Sequence, residues 1–343
     1  MSMKKWASVW AVTFVTLPIH MASAADEVEQ FYKDKQVKLI SAYAAGGNSA
    51  LYGDVLRRHI GRHIPGNPIV IIQNMPGGAG ITATNYMAKR APRDGTEFAL
   101  VSRTAPFEPL YGNDKALYST QELSWLGSAN VETSVCIANT NAPVDSLKAA
   151  TEKELIVGGS SPDALDSVLP NITNRLLGTK FKIVGGYPLS SDIILAMERG
   201  EVSGFCGVSW ASINMRYANL LKDKKIKVLF QFAPERASDL KDVPLIQEEA
   251  KSKIDSQVFD LLLAPQQMGR PFLTAPGVPP ARLAALRKAF MDTLKDAEFL
   301  AEAQKAGLEI QPIGAEAVDK ILARAYASSP EAIEKMKQLL AYK

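Results

Sequence analysis

The chain is poor in the residues that most chemistry needs: only three histidines and two cysteines occur among its 343 residues. No G-x-S-x-G nucleophile turn, no G-x-x-x-x-G-K-[ST] phosphate loop and no complete dinucleotide fingerprint is present. Long runs of one charge are missing too, and 39 basic residues face 36 acidic ones. That balance argues against nucleic acid or a bulk membrane surface as partner. Repeats and low-complexity tracts do not occur. With the usual role-players of a catalytic site missing, the expectation is a protein that is not an enzyme and carries neither cofactor nor metal.

The amino end has an export pattern. Lys4 and Lys5 precede an apolar run from Trp6 to Ile19, and Ala22-Ser23-Ala24 follows. These are the three regions of a cleaved secretory signal peptide, over residues 1–24. The apolar run, about 14 residues, falls short of the roughly 20 that span a bilayer. Cleavage leaves about 319 residues and lowers the net charge from +3 to +1. The two remaining histidines, His59 and His63, stand four apart, a spacing that suits one metal ion. Arg57, Arg58 and Arg62 interleave them and no third ligand is near in sequence, so an exposed helix face is expected. Cys136 and Cys206 lie in apolar, strand-like runs. In an oxidising compartment they either pair or stay as buried thiols.

A mature chain of this length calls for two α/β domains. Strand-like runs alternate with helical stretches: 37–43, 69–73, 98–101, 134–138, 155–157, 182–184, 202–206 and 228–232. Such alternation predicts parallel sheets of βαβ units, with ligands at the carboxyl ends of the strands. From about Pro279 the pattern becomes helical, over 281–294, 298–306, 315–327 and 330–340, and reads as a cap on one domain.

The strand ends carry the functional reading. The first strand runs into Tyr43-Ala44-Ala45-Gly46-Gly47-Asn48-Ser49, and the second into Pro76-Gly77-Gly78-Ala79-Gly80. Each glycine-rich turn precedes a helical stretch, so backbone N–H groups and a helix dipole converge on one point, as anion binding requires. The third strand ends in Ser102-Arg103-Thr104, and Arg103 either adds a charge-assisted bond or is a surface arginine. Later strands end in Gly159-Ser160-Ser161-Pro162, in Gly185-Gly186-Tyr187-Pro188 and in Gly207-Val208-Ser209. Tyr43 and Tyr187 either frame an apolar ligand body or are core residues with a wet hydroxyl.

At these residues the chain resembles the substrate-binding receptors of tripartite tricarboxylate transporters, the TctC or Bug family. The resemblance rests on Ala45-Gly46-Gly47, Asn74-Met75-Pro76-Gly77-Gly78-Ala79-Gly80 and Ala91-Pro92-Arg93-Asp94-Gly95-Thr96. It continues through Gly200-Glu201-Val202-Ser203-Gly204, Asp242-Val243-Pro244 and 271–279. It implies an α/β, two-lobed periplasmic-binding-protein fold of type II, closing like a Venus flytrap about two crossovers. The first lobe would comprise 26–130 plus 240–343, and the second 131–239. The family implies capture of a small di-, tricarboxylate or aromatic acid by a monomeric receptor that serves membrane permease subunits. Loops matching Tyr43 to Ser49 and Pro76 to Gly80 would hold a carboxylate. Those matching Gly159 to Pro162, Tyr187, and Val208 with Ser209 would grip the distal end. A sensory protein that presents its bound state to a sensor kinase would need the same cleft. The chain departs from the family at Ala50, where an aspartate is usual; Asp54 stands one turn later.

Overall fold

The computed structural model describes residues 24–162 and 164–340. The expected signal peptide lies outside the described residues, except for Ala24. Eleven strands form two sheets. In chain order they are β1 (Gln36–Ser41), β2 (Ile69–Asn74), β3 (Glu97–Leu100), β4 (Ser124–Ser128), β5 (Ser134–Asn139) and β6 (Leu155–Gly158). Then follow β7 (Phe181–Val184), β8 (Gly204–Ser209), β9 (Ile226–Phe232), β10 (Pro271–Thr274) and β11 (Ile313–Gly314). The first sheet has the order β11-β4-β10-β3-β1-β2 and the second β7-β6-β8-β5-β9. This is the two-lobed α/β architecture, and the chain crosses between sheets after β4 and again after β9.

The expected purely parallel sheets are corrected. β1 pairs in parallel with β2 and β3, and β6 with β7 and β8, but β10 runs antiparallel to β3 and β4, and β5 antiparallel to β8 and β9. A chain that leaves a sheet at its carboxyl edge and later re-enters there must run back against its neighbours. β4, β10 and β11 escaped the sequence reading: β11 has only two residues, β4 contains Gly127, and β10 opens on Pro271. The burial of β3 on both faces follows from its central place, with all four residues buried.

The carboxyl-terminal helices fall close to their predicted spans, at Pro280–Thr293, Ala297–Lys305, Ala315–Tyr326 and Pro330–Leu340. They do more than cap one lobe. Pro330–Leu340 packs on the helix Lys253–Leu263 and on Leu165–Leu177 of the second lobe. There Arg175 donates to the carbonyls of Gln338 and Leu339, and Lys335 pairs with Asp255 at 2.6 Å. Cys136 and Cys206, opposed across β5 and β8, are joined in a disulfide and fully buried.

His59 and His63 do not lie on an exposed face, which corrects that expectation. The helix Asn48–Ile60 and the turn after it dock on Ala297–Lys305 through ion pairs. His59 Nε2 lies 2.6 Å from Glu302, His63 Nε2 3.0 Å from Asp296, and Arg58 pairs with Glu302. Arg62 reaches Asp296 and Glu298, and its Nη2 lies 3.1 Å from His59 Nδ1. A guanidinium thus fills the centre of the His59, Asp296 and Glu298 group. Asp296 also accepts the N–H groups of Glu298 and Phe299 as helix N-cap. The Phe299 bond above all, with Arg62 and His63, holds its carboxyl down at about 2. A depressed carboxyl pKa stabilises the fold above the ordinary value near 3.8 and loses that contribution as pH falls toward 2. Asp296→Ala is therefore expected to lower the Tm by a few degrees at pH 7. The gap from the parent should close as pH drops through 3.8 toward 2, and a gap that persists unchanged in acid would contradict the assignment.

Candidate functional site

A parallel strand ends where its neighbours end. Ser41 of β1 is level with Asn74 of β2 and Leu100 of β3, so all three following loops leave one edge of the first sheet. The same edge is where β4 exits and β10 enters, Pro271 being opposite Ser128. In the second sheet Gly158 is level with Val184, and Ser209 with Ser134, the first residue of β5. Both sets of strand-to-helix loops therefore gather at the crossovers, where open α/β folds bind ligands.

In the first lobe the predicted loops are brought together. The Asn74 amide donates to the Tyr43 carbonyl at 2.8 Å, and the Met75 N–H to the Ser41 carbonyl at 2.7 Å. Gly80 abuts the third loop: a Cβ there would lie 2.5 Å from Ser102 Cβ. Ser102 and Thr104 share a 2.9 Å hydroxyl bond. Gly77, Gly78, Ala79 and Gly80 all have positive φ, at 137°, 54°, 52° and 96°. This run turns the chain sharply into the helix Ile81–Lys89. That helix is N-capped by Gly80, and Asn48–Ile60 by Gly47, and neither has a side-chain cap. At the second of these starts the Ile81 and Thr82 N–H groups turn back onto the Gly78 and Gly77 carbonyls, while at both starts the helix dipole favours negative charge. Ala44, Ala45 and Gly46, and Pro76 to Ala79, are exposed.

The second lobe is built differently. Its loops after β6 and β7 are tied together, Gly186 N–H donating to Ser160 O and Tyr187 N–H to Gly159 O. Ala164 and Leu189, ahead of the helices Leu165–Leu177 and Ser190–Arg199, give no side-chain cap, and the nearby acids tie up loop N–H groups instead. Asp166 takes the N–H and hydroxyl of Ser160 at 2.9 and 2.8 Å, Asp192 takes Leu189 N–H, and Ser209 Oγ caps Ser212. Carboxylates thus lie on the second-lobe loops, whereas none of the residues Tyr43 to Ser49 or Pro76 to Gly80 is acidic. Ser161 and Pro162 are exposed on this rim, whereas the Val208 side chain is in the core, leaving only its backbone for a ligand. Tyr187 packs against the second-lobe core and Tyr43 against that of the first, both half-buried.

Arg103 is not a surface arginine. Its side chain is 12% exposed and its Nη1 lies 3.4 Å from Glu132, which is 2% exposed. Arg270, at the head of β10, sets its Nη1 3.2 Å from the same carboxylate oxygen and lies over the Tyr52 ring at 4.8 Å. Burial pulls the Arg103 pKa down. It opposes the Arg270 charge as well, but there Glu132 and the tyrosines Tyr52 and Tyr43 outweigh it and the pKa rises. Glu132, Arg270 and Asn130 were missed from sequence. The available clue was a single ionisable residue beside buried strands, as in Met268-Gly269-Arg270-Pro271. Ala50 is fully buried, and Asp54 pairs with Arg57 at 3.4 Å.

A separate groove of about 980 Å³ lies along the β9 and β11 edges, opposite the glycine loops. Its Asp239 is held by Trp210 and Asn214, and burial raises the pKa of its Glu309. Its lining sets Glu235, Asp239 and Glu309 against Arg236, Lys320 and Arg324.

Substitutions at two glycines separate backbone strain from contact. Gly46, at φ 83°, has open space around it, so Gly46→Ala should cost about 1–2 kcal/mol from the left-handed backbone alone. Gly80→Ala should add about 1–3 kcal/mol of overpacking against Ser102. Urea unfolding of both variants checks this, and equal losses would contradict the Gly80–Ser102 contact.

No family model matches the chain, and no curated protein does. Solved structures do match. A TctC solute-binding protein from Polaromonas, without ligand, superposes with a TM-score of 0.66 at 19% identity, covering 89% of this chain and 97% of that one. Rpa4515 of R. palustris with adipate gives 0.63 at 17%, covering 89% and 97%. MatC from Rhodopseudomonas palustris with bound malate gives 0.61 at 17%, covering 89% and 99%. Over nearly its whole described length, the chain has the two-lobed fold of these periplasmic solute-binding proteins.

Proposed function

We propose that the protein is an exported receptor that captures a small organic carboxylate in the cleft between its lobes. The observation that carries this reading is the pair of side-by-side helix starts at Gly47 and Gly80, neither with a side-chain cap, at the crossover edge. Backbone amides there hold carboxylate oxygens at any pH at which the acid is ionised, without a titrating side chain. The Asn74–Tyr43 bond keeps the two turns in register. The second lobe, with its loops after β6, β7 and β8, closes over the rest of the ligand, and the closed form is populated by its greater affinity. The adipate and malate held by two structural neighbours support a dicarboxylate or similar acid. The signal-peptide pattern supports a periplasmic location, and the fold supports delivery to the permease of a tripartite tricarboxylate-type transporter.

Calorimetric titration of the mature protein with adipate, malate and benzoate tests this. Saturable binding of at least one acid is expected, weakened by Gly80→Ala. A folded protein that binds none of the three would overturn the receptor reading.

A further inference from the structure

The two crossovers run side by side as a hydrogen-bonded pair: Ala129 N–H donates to Arg270 O, Gly269 N–H to Asn130 O, and Glu132 N–H to Gln266 O. Inside this hinge lie two guanidiniums and one carboxylate, an excess of one positive charge in a nearly dry setting. The cluster is unfinished. Among the described residues, Arg103 Nη1, Arg270 Nε, Glu132 Oε1 and Asn130 Oδ1 are buried without a hydrogen-bond partner. The two arginines are held unequally. Arg270 lies nearer the carboxylate, donates to Gly269 O at 2.6 Å and stacks on Tyr52. Arg103 has only the longer contact with Glu132. It also sits between Ser102 and Thr104, on the loop that abuts Gly80, and within electrostatic reach of Tyr43.

Arg103 is therefore the less firmly held of the two, placed between a resident anion on the crossover and the glycine loops. We propose that the Arg103–Glu132 contact is a latch on the first crossover, which a carboxylate bound at the glycine loops releases by competing for the Arg103 guanidinium. This rests on the receptor reading above. Buried cations need a counter-ion, so capture of the ligand anion and release of Glu132 are two sides of one exchange. Glu132 stays neutralised by Arg270 and the hinge is freed to close.

The test compares the parent with Glu132→Gln and Arg103→Gln, titrated calorimetrically with adipate, malate and benzoate. Spin labels at Lys89→Cys and Lys182→Cys, exposed positions on the two lobes, report the inter-lobe distance. No free cysteine among the described residues competes for the label. Glu132→Gln is expected to bind about tenfold more tightly, and Arg103→Gln at least tenfold more weakly, as loss of one charge-assisted contact implies. Without ligand, both variants should shift the distance distribution toward that of the ligand-bound parent. Should Glu132→Gln not fold, Glu132→Asp, with its shorter reach, is expected to move both readouts the same way. Distances unmoved in both variants, or unchanged affinity in the Glu132 variant, overturn the latch. A parent that binds while both variants match it overturns the latch alone. A parent silent to all three acids overturns the receptor reading and the latch together.

Discussion

A parallel strand delivers its chain to one edge of the sheet, and every functional feature here depends on that constraint. Because β1, β2 and β3 end level with one another, their loops must share a rim. Because β4 runs with them and β10 against them, the chain leaves and re-enters the first sheet at that same rim. Hinge and binding loops therefore arise from one topological fact. The mixed sheets, which the alternation of strands and helices does not predict, are what put the hinge there.

The two lobes differ in what their loops carry more than in how their helices are capped. Glycine at Gly47 and Gly80 contributes no side-chain acceptor to its helix. In the second lobe Ala164 and Leu189 contribute none either, Ser209 caps Ser212, and Asp166 and Asp192 tie down Ser160 and Leu189 within the loops.

The glycine turns were legible because their chemistry is local: the residues that bend the chain also present the amides. Eight strands were legible for the same reason, from β-branched runs bounded by Gly and Ser. What could not be read depends on partners far apart in sequence. His59 and His63 look like a basic surface until Asp296 and Glu302 are brought onto them. Arg103 offered two readings, and neither foresaw Glu132 and Arg270, since a single acid between two apolar strands has no spacing to betray it. Cys136 and Cys206 left pairing open because register between β5 and β8 is set by the whole sheet.

That disulfide has a mechanical consequence. β5 is the strand that the first crossover feeds directly, and β8 is the strand that ends at Ser209 on the rim. Bonded covalently at their middles, the two cannot slide past one another. Any displacement of the segment around Glu132 is thus carried stiffly across the sheet to the far wall of the cleft, as a lever fixed at mid-span moves both its ends.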